Sequence, residues 1–279
     1  MEETVRLADW VVQQEPGLRL GVFLGVLALL GLGELGRPRR TTVRRRGRWW
    51  PNLAMLAIDA LVLRFVFPLL AVGVALWADS SGVGLLRWAG LPAAVAFVAA
   101  LLVLDFAIWA QHLAMHRLPW LWRMHRVHHS DLEFDITTGV RFHPLEIVVS
   151  MLYKMAVVAL LGASVTAVIA FEVLLNATSL FNHANLRLPD TLDRWLRLIV
   201  VTPDMHRVHH SLWQPETDSN YGFNLPWWDR LFGTYRAAPR DGHVAMRIGL
   251  GRFRSRREQT LWLLLMQPAE PVRQTDRVN

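Results

Sequence analysis

Four long apolar runs, nearly free of charge, dominate this 279-residue chain and restrict what it can fold into. Runs of that length are the signature of membrane-crossing helices. The first covers residues 18–35. It follows Glu2, Glu3 and Asp9 rather than a basic leader, so it is expected to be a retained anchor, with Arg19 and Glu34 snorkelling at its ends. The second covers 50–78 and contains Asp59, Arg64 and Pro68, whose two ionisable groups should face other helices and pair with each other. The third covers 91–110. The fourth covers 147–181, and as one helix it would measure about 52 Å, too long for a ~30 Å hydrocarbon core. Gly162-Ala163-Ser164 near its middle predicts a break, and hence a helical hairpin that returns to the side it entered. A single crossing would put the histidines before and after it on opposite faces.

Orientation follows from the basic residues. Seven arginines lie in the segment from Arg37 to Arg48, between the first two runs. Such a loop marks the cytoplasmic side and attracts anionic headgroups. The N-terminus and the 79–88 loop then lie outside, and residues 111–146 and those after about 182 lie in the cytoplasm. The net charge of +7 is therefore assigned to topology, not to nucleic acid, for which no motif is present. Lys154 is the only lysine among 30 basic residues, a bias that fits a GC-rich bacterial genome and the bacterial inner membrane. The expected fold is an all-α integral membrane protein. It has four to five membrane-embedded segments, including the hairpin, beneath a cytoplasmic histidine-rich helical cap. Three regions are expected: 1–90 with the first spans and the arginine loop, 91–238 with the chemistry, and 239–279. In the last region Arg254–Met266 reads as an amphipathic helix lying on the membrane, followed by a mobile tail.

Cysteine is absent, which removes disulfides, iron–sulfur clusters and thiolate-bound haem. Any transition metal must be held by histidine and oxygen ligands. Eight of the eleven histidines fall in three groups. His112 and His116, four apart at the end of the third run, share one helical face. His125, His128 and His129 stand in MHRVHHS, and the same heptapeptide recurs with His206, His209 and His210. His143, before Pro144, and His183 are expected to join them. His183 ends a polar stripe of Glu172, Asn176 and Ser179 at helical spacing. These make ten candidate ligands, too many for one ion and enough for two. His243 reads as a surface residue.

The ordered pattern H-x-x-x-H at His112/His116, then H-x-x-H-H at His125/His128/His129 and at His206/His209/His210, resembles the fatty acid hydroxylase / sterol desaturase superfamily. FHPLE around His143, FNHANLRLP around His183 and NYGFNLPWWDRLFGTY from Asn220 to Tyr235 carry the same resemblance, which covers about residues 90–240. It implies two non-haem iron ions, zinc being possible in an inactive form, that use O₂ to oxidise an unactivated C–H bond of a membrane lipid. Hydroxylation and desaturation both remain open. With no room for a fused cytochrome b5-like domain, electrons are expected from a separate ferredoxin- or cytochrome b5-like donor. Asp105, Glu172 and Asp204, with Asp131, Asp135 and Asp218, are candidates to orient the histidine rings. Asp229 and Arg230 are expected to form an ion pair, with Trp227 and Trp228 at the headgroup belt. A zinc-dependent membrane hydrolase or a non-catalytic metal-binding protein is the alternative. No glutamate stands inside a histidine cluster as a hydrolase of the H-E-x-x-H type requires.

Overall fold

A computed structural model describes residues 2–41, 47–67, 70–276 and 278, with side chains from Gly17 onward. Pro68 and the loop arginines Arg44, Arg45 and Arg46 lie outside the described residues. The described chain is helical, with isolated bridges and no ladder strand. Ten helices run to the second heptapeptide. These are α1 (Glu2–Gly36), α2 (Trp49–Val66), α3 (Leu70–Ser81), α4 (Leu85–Trp88), α5 (Ala93–Arg117), α6 (Pro119–His129), α7 (Pro144–Leu161), α8 (Val165–Asn182), α9 (Asp190–Leu196) and α10 (Pro203–His209).

Five stretches are long and apolar enough to cross a membrane: Gly17–Gly36, Trp49–Trp88, Ala93–Arg117, Pro144–Leu161 and Val165–Asn182. Their outward faces carry large bare side chains, such as Leu29, Phe65 and Leu160, as a lipid-facing surface does. Inside the bundle small residues let the helices approach: Ala71, Ala75, Ala100 and Ala167 are buried with Leu104, Val158 and Phe171. Between helices in lipid, close packing replaces the hydrophobic drive, and small side chains permit it.

The 147–181 stretch is two helices, as the glycine predicts. α7 ends at Gly162, whose φ of +62° is left-handed, and Ser164 caps α8 by accepting from the Ala167 N–H at 3.3 Å. The turn packs against Gly84, φ +134°, where an added Cβ would lie 2.2 Å from the Gly162 Cα. The first turn of α7 and the residue capping the end of α8 both reach histidines, through Glu146 with His125 and His183 with His128.

Several expectations for ionisable groups are corrected. Arg19 and Glu34 do not snorkel. Arg19 pairs with Glu172 at 2.9 Å, and buried Glu34 accepts from the backbone N–H groups of Ile136 and Asn185. Both helix-to-core bonds satisfy donors that lipid could not. Asp59 is buried while Arg64 is exposed, because residues five apart on a helix face different ways and cannot pair. Asp229 does not pair with Arg230. It accepts from the N–H groups of Tyr221 and Gly222, the Trp109 indole and the Thr234 hydroxyl. Arg230 instead lies over the Tyr235 ring. Trp228 turns inward to donate to Asp105 at 2.7 Å.

The C-terminal segment departs most from expectation. Residues 254–266 form a 3₁₀ turn at Arg257–Gln259 and a separate helix at Leu261–Met266, not one amphipathic helix. Gln259 is drawn inward by Arg141 at 2.8 Å. The tail is held down: Asp276, fully buried, pairs with Arg126 at 2.9 Å, and Arg126 also donates to the Gln267 carbonyl at 2.6 Å. An arginine buried to this degree requires such partners.

Candidate metal centre

The first heptapeptide is helical to His129 in α6 and the second to His209 in α10, with His210 capping the latter, and each helix has a proline in its first turn. In a helix, residues i and i+4 share a face and i+3 is displaced to its other flank. The structure uses that difference. His125 and His129 of the first copy join His112 and His116 of α5, and the second copy contributes His209. The remaining first-copy histidine, His128, joins His206 and His210 of the second copy, with His183 from the end of α8. Each heptapeptide thus divides its histidines between two groups, and each group takes residues from both copies. Within a group all ligand atoms lie within 4.8 Å of one another, and every ring is buried.

The rings point their Nε2 atoms at one another. His112 Nε2 lies 3.0 Å from the Nε2 atoms of both His125 and His209. His116 and His129 approach to 3.1 Å, and His183 Nε2 is 3.1 Å from those of His128 and His206. Their Nδ1 atoms decide what those contacts are. His112 Nδ1 sits 2.7 Å from the Tyr221 carbonyl, and His209 Nδ1 2.7 Å from that of Ser219. A carbonyl only accepts, so both Nδ1 atoms carry the proton and both Nε2 atoms carry lone pairs. Two lone pairs at 3.0 Å repel and cannot form a hydrogen bond. Protonating one ring would rescue the contact, but burial and neighbouring imidazoles push His209 well below the usual histidine pKa, as they do His128, His129, His206 and His210. Burial takes His183 down to about 4. A cation between the nitrogens would relieve the repulsion. An ion ~2.1 Å from two nitrogens at right angles sets them about 3.0 Å apart, which matches these spacings. Nitrogen donors without thiolate suit a borderline transition metal.

Nine of the ten expected ligands are gathered in this way. His143 is not. Its Nδ1 accepts from the Leu145 N–H at 3.1 Å, capping α7, and its Nε2 donates to the Leu265 carbonyl at 3.1 Å. Both ring nitrogens are thereby occupied. His243 lies 3.7 Å from Asp204, away from both groups.

The residues that orient the rings differ from those expected. Asp105 accepts from Asn224 and Trp228, Glu172 pairs with Lys154 and Arg19, and Asp204 pairs with Arg39 and Arg207. None touches a clustered histidine. Asp131 and Asp135 bind Arg48, each at 2.7 Å. Burial would raise Asp131, but Arg48 and Arg141 hold it well below the usual carboxylate range. Of the expected carboxylates Asp218 comes nearest a clustered histidine, at 3.4 Å from His116 Nδ1. The carboxylate that the sequence reading missed is Glu146, which accepts from His125 Nδ1 at 2.7 Å. It stands three residues after His143 in the same phrase, on the first turn of α7. The other acceptors are carbonyls of Tyr221, Ser219 and Ser179, which no side-chain pattern announces. Asp229 and Asn220 shape the loop that offers two of them, Asn220 by donating to the Met205 carbonyl at 2.9 Å.

A cavity of about 350 Å³ runs from this centre into the helix bundle. His112, His125 and Phe223 border it at one end, and Leu63, Ile108, Met151 and Leu175 line its sides. Glu172, Asn176 and Ser179 of the polar stripe also face it.

Residues 97–234 match the family model described as fatty acid hydroxylase. An ornithine lipid hydroxylase of Rhizobium tropici is 28% identical over 235 residues, covering 78% of this chain and 67% of the relative. The alkylglycerol monooxygenase of Homo sapiens is 32% identical over 142 residues, 50% of this chain and 30% of the relative. The cholesterol 25-hydroxylase of Rattus norvegicus is 27% identical over 140 residues, 50% of this chain and 46% of the relative. The chain thus spans less than half the length of the last two. No solved structure gives a significant match. The matched segment, a fatty acid hydroxylase domain by that model, holds all nine clustered histidines, and the relatives it resembles are named as hydroxylases and a monooxygenase.

Proposed function

We propose that the protein hydroxylates or desaturates an unactivated C–H bond of a membrane lipid, using O₂ and two iron ions held by the nine histidines. The observation that carries this reading is the pair of adjoining histidine groups with opposed Nε2 lone pairs, at the end of a largely apolar cavity between membrane-length helices. His112, His116, His125, His129 and His209 would hold one ion, and His128, His183, His206 and His210 the other. When bound, the two irons supply the redox chemistry that couples O₂ reduction to C–H oxidation. For hydroxylation the balance is one lipid C–H, one O₂, two electrons and two protons, giving one C–OH and one water.

The chain's own residues do the rest. Glu146 and the Tyr221, Ser219 and Ser179 carbonyls keep the Nδ1 protons in place, so the Nε2 lone pairs face inward. The apolar cavity wall excludes water and places an alkyl chain beside the ligands. In this reading α7 and α8 form a hairpin from the bilayer, and the α6–α10 cap lies on the cytoplasmic face marked by the arginine loop. The electrons come from a separate acidic donor, ferredoxin- or cytochrome b5-like, which exposed cap arginines such as Arg187 and Arg194 would attract. The names of the relatives, an ornithine lipid hydroxylase and two oxygenases of other lipids, support a lipid substrate.

The test uses the iron-loaded protein in bilayer discs, a reductant, ¹⁸O₂ and a membrane lipid extract. The expected result is an O₂-dependent product bearing either one ¹⁸O hydroxyl or a new C=C bond. Products formed equally without O₂, with oxygen drawn from labelled water, would replace this reading with zinc-dependent hydrolysis.

A further inference from the structure

The cavity beside the metal centre contains more charge than an alkyl chain needs. On its wall Glu172 is matched by two cations, Arg19 and Lys154. Two other carboxyl groups on the wall are not matched in this way. Asp59 of α2 is buried, borders the cavity, and its Oδ1 has no hydrogen-bond partner among the described residues. Glu146 is buried and borders the same cavity. Its Oε1 serves His125, while its Oε2 has no partner among the described residues. The neighbouring amide and hydroxyl bond to each other instead, Gln111 donating to Ser150 at 2.8 Å. A buried carboxyl oxygen without a hydrogen-bond partner in a membrane span is costly unless a ligand completes it.

We propose that Asp59, with the free oxygen of Glu146, is a recognition site for the ammonium group of an amine-bearing lipid substrate. This rests on the lipid-oxidising reading and narrows it to lipids with a primary amine in the polar part. An ammonium offers three donors and one positive charge. It would offer Asp59 Oδ1 and Glu146 Oε2 the donors they lack, in charge-assisted bonds. Because Glu146 also holds His125, the amine would be anchored next to the metal ligands. The carbon presented for oxidation would then be one close to the polar group, not one far along the acyl tail.

The experiment is equilibrium binding to the iron-loaded protein in phosphatidylcholine discs, with radiolabelled dodecylamine, N-acetyl-dodecylamine and dodecanol as probes. Saturable binding of the amine at least about tenfold tighter than of the other two is expected, because a charge-assisted pair is lost in each. Asp59→Asn should abolish that preference while iron content stays at the wild-type level. Equal binding of all three probes by the wild-type protein would overturn the proposal, and tighter dodecanol binding would make Asp59 a hydrogen-bond donor to hydroxyls instead. Loss of iron in Asp59→Asn would mean that Asp59 balances the metal charge. The wild-type probe ranking stands even if that variant fails to fold. O₂ consumption with reductant is measured in parallel. Its persistence without an amine preference defeats only this proposal, and its absence in the iron-loaded wild type defeats the oxidation reading itself.

Discussion

At the residue scale the decisive atoms are the Nδ1 protons. Carbonyls at Tyr221 and Ser219 fix the tautomers of His112 and His209, and from that follow opposed Nε2 lone pairs and the need for a cation. His209→Ala or His183→Ala should each remove metal from the purified chain. His143→Ala should leave metal content unchanged and cost only about 1 kcal/mol through the lost helix cap. Elemental analysis beside thermal unfolding in detergent separates the two outcomes, and metal loss in His143→Ala would refute the division drawn here. Glu146→Gln keeps an acceptor for His125 but drops its charge, so metal affinity should fall by about 10–100-fold with helical content intact. Competitive chelation measures it, and unchanged affinity would remove Glu146 from the site's support. Most of the site was legible in the sequence because imidazole spacing on a helix is a strong local signal. His128 and His209 needed only the i+3 position of a repeated heptapeptide. His143 misled because a histidine before proline serves equally well as a helix cap. Glu146 was passed over because its target, His125, lies 21 residues away.

At the level of elements, the turn between α7 and α8 carries much of the architecture. Gly84 and Gly162 both hold positive φ and meet backbone to backbone, so neither tolerates a Cβ. Gly84→Ala should destabilise the protein by about 1–3 kcal/mol or more, from strained φ and the clash together. A lowered unfolding midpoint in detergent is expected, and a midpoint equal to wild type would mean that this contact is dispensable. The break itself was readable from Gly162-Ala163-Ser164, since glycine and serine are the residues that end and restart helices. The C-terminal segment was not. Arg126 reaches 150 residues along the chain to Asp276, and the sequence around either residue says nothing of the other. Leucines at 261–265 suggested a membrane-surface helix because their true neighbours, Met55 and Val127, are distant in sequence. The polar stripe of α8 was legible for the opposite reason: its residues face one way by helical period alone.

For the whole molecule, membrane-length helices, a two-group histidine centre and a cavity between them form one arrangement. Arg19, Asp59, Glu172 and Lys154 border the cavity inside the bundle, while its outward faces carry large apolar side chains such as Leu29, Phe65 and Leu160. That sorting places an alkyl chain and a polar group within reach of the same metals. The number of spans followed from the lengths of the apolar runs. The cavity did not, because it arises where α1, α2, α5, α7 and α8 diverge, and packing of five helices leaves no local trace. The central claim is that these nine histidines bind two ions, not one. Iron per chain, measured on protein purified anaerobically after expression with iron, tests it most directly. Two irons per chain are expected for the wild type, with a marked loss on His183→Ala, which touches only one of the groups. A maximum of one metal ion per chain under the same conditions would contradict the account.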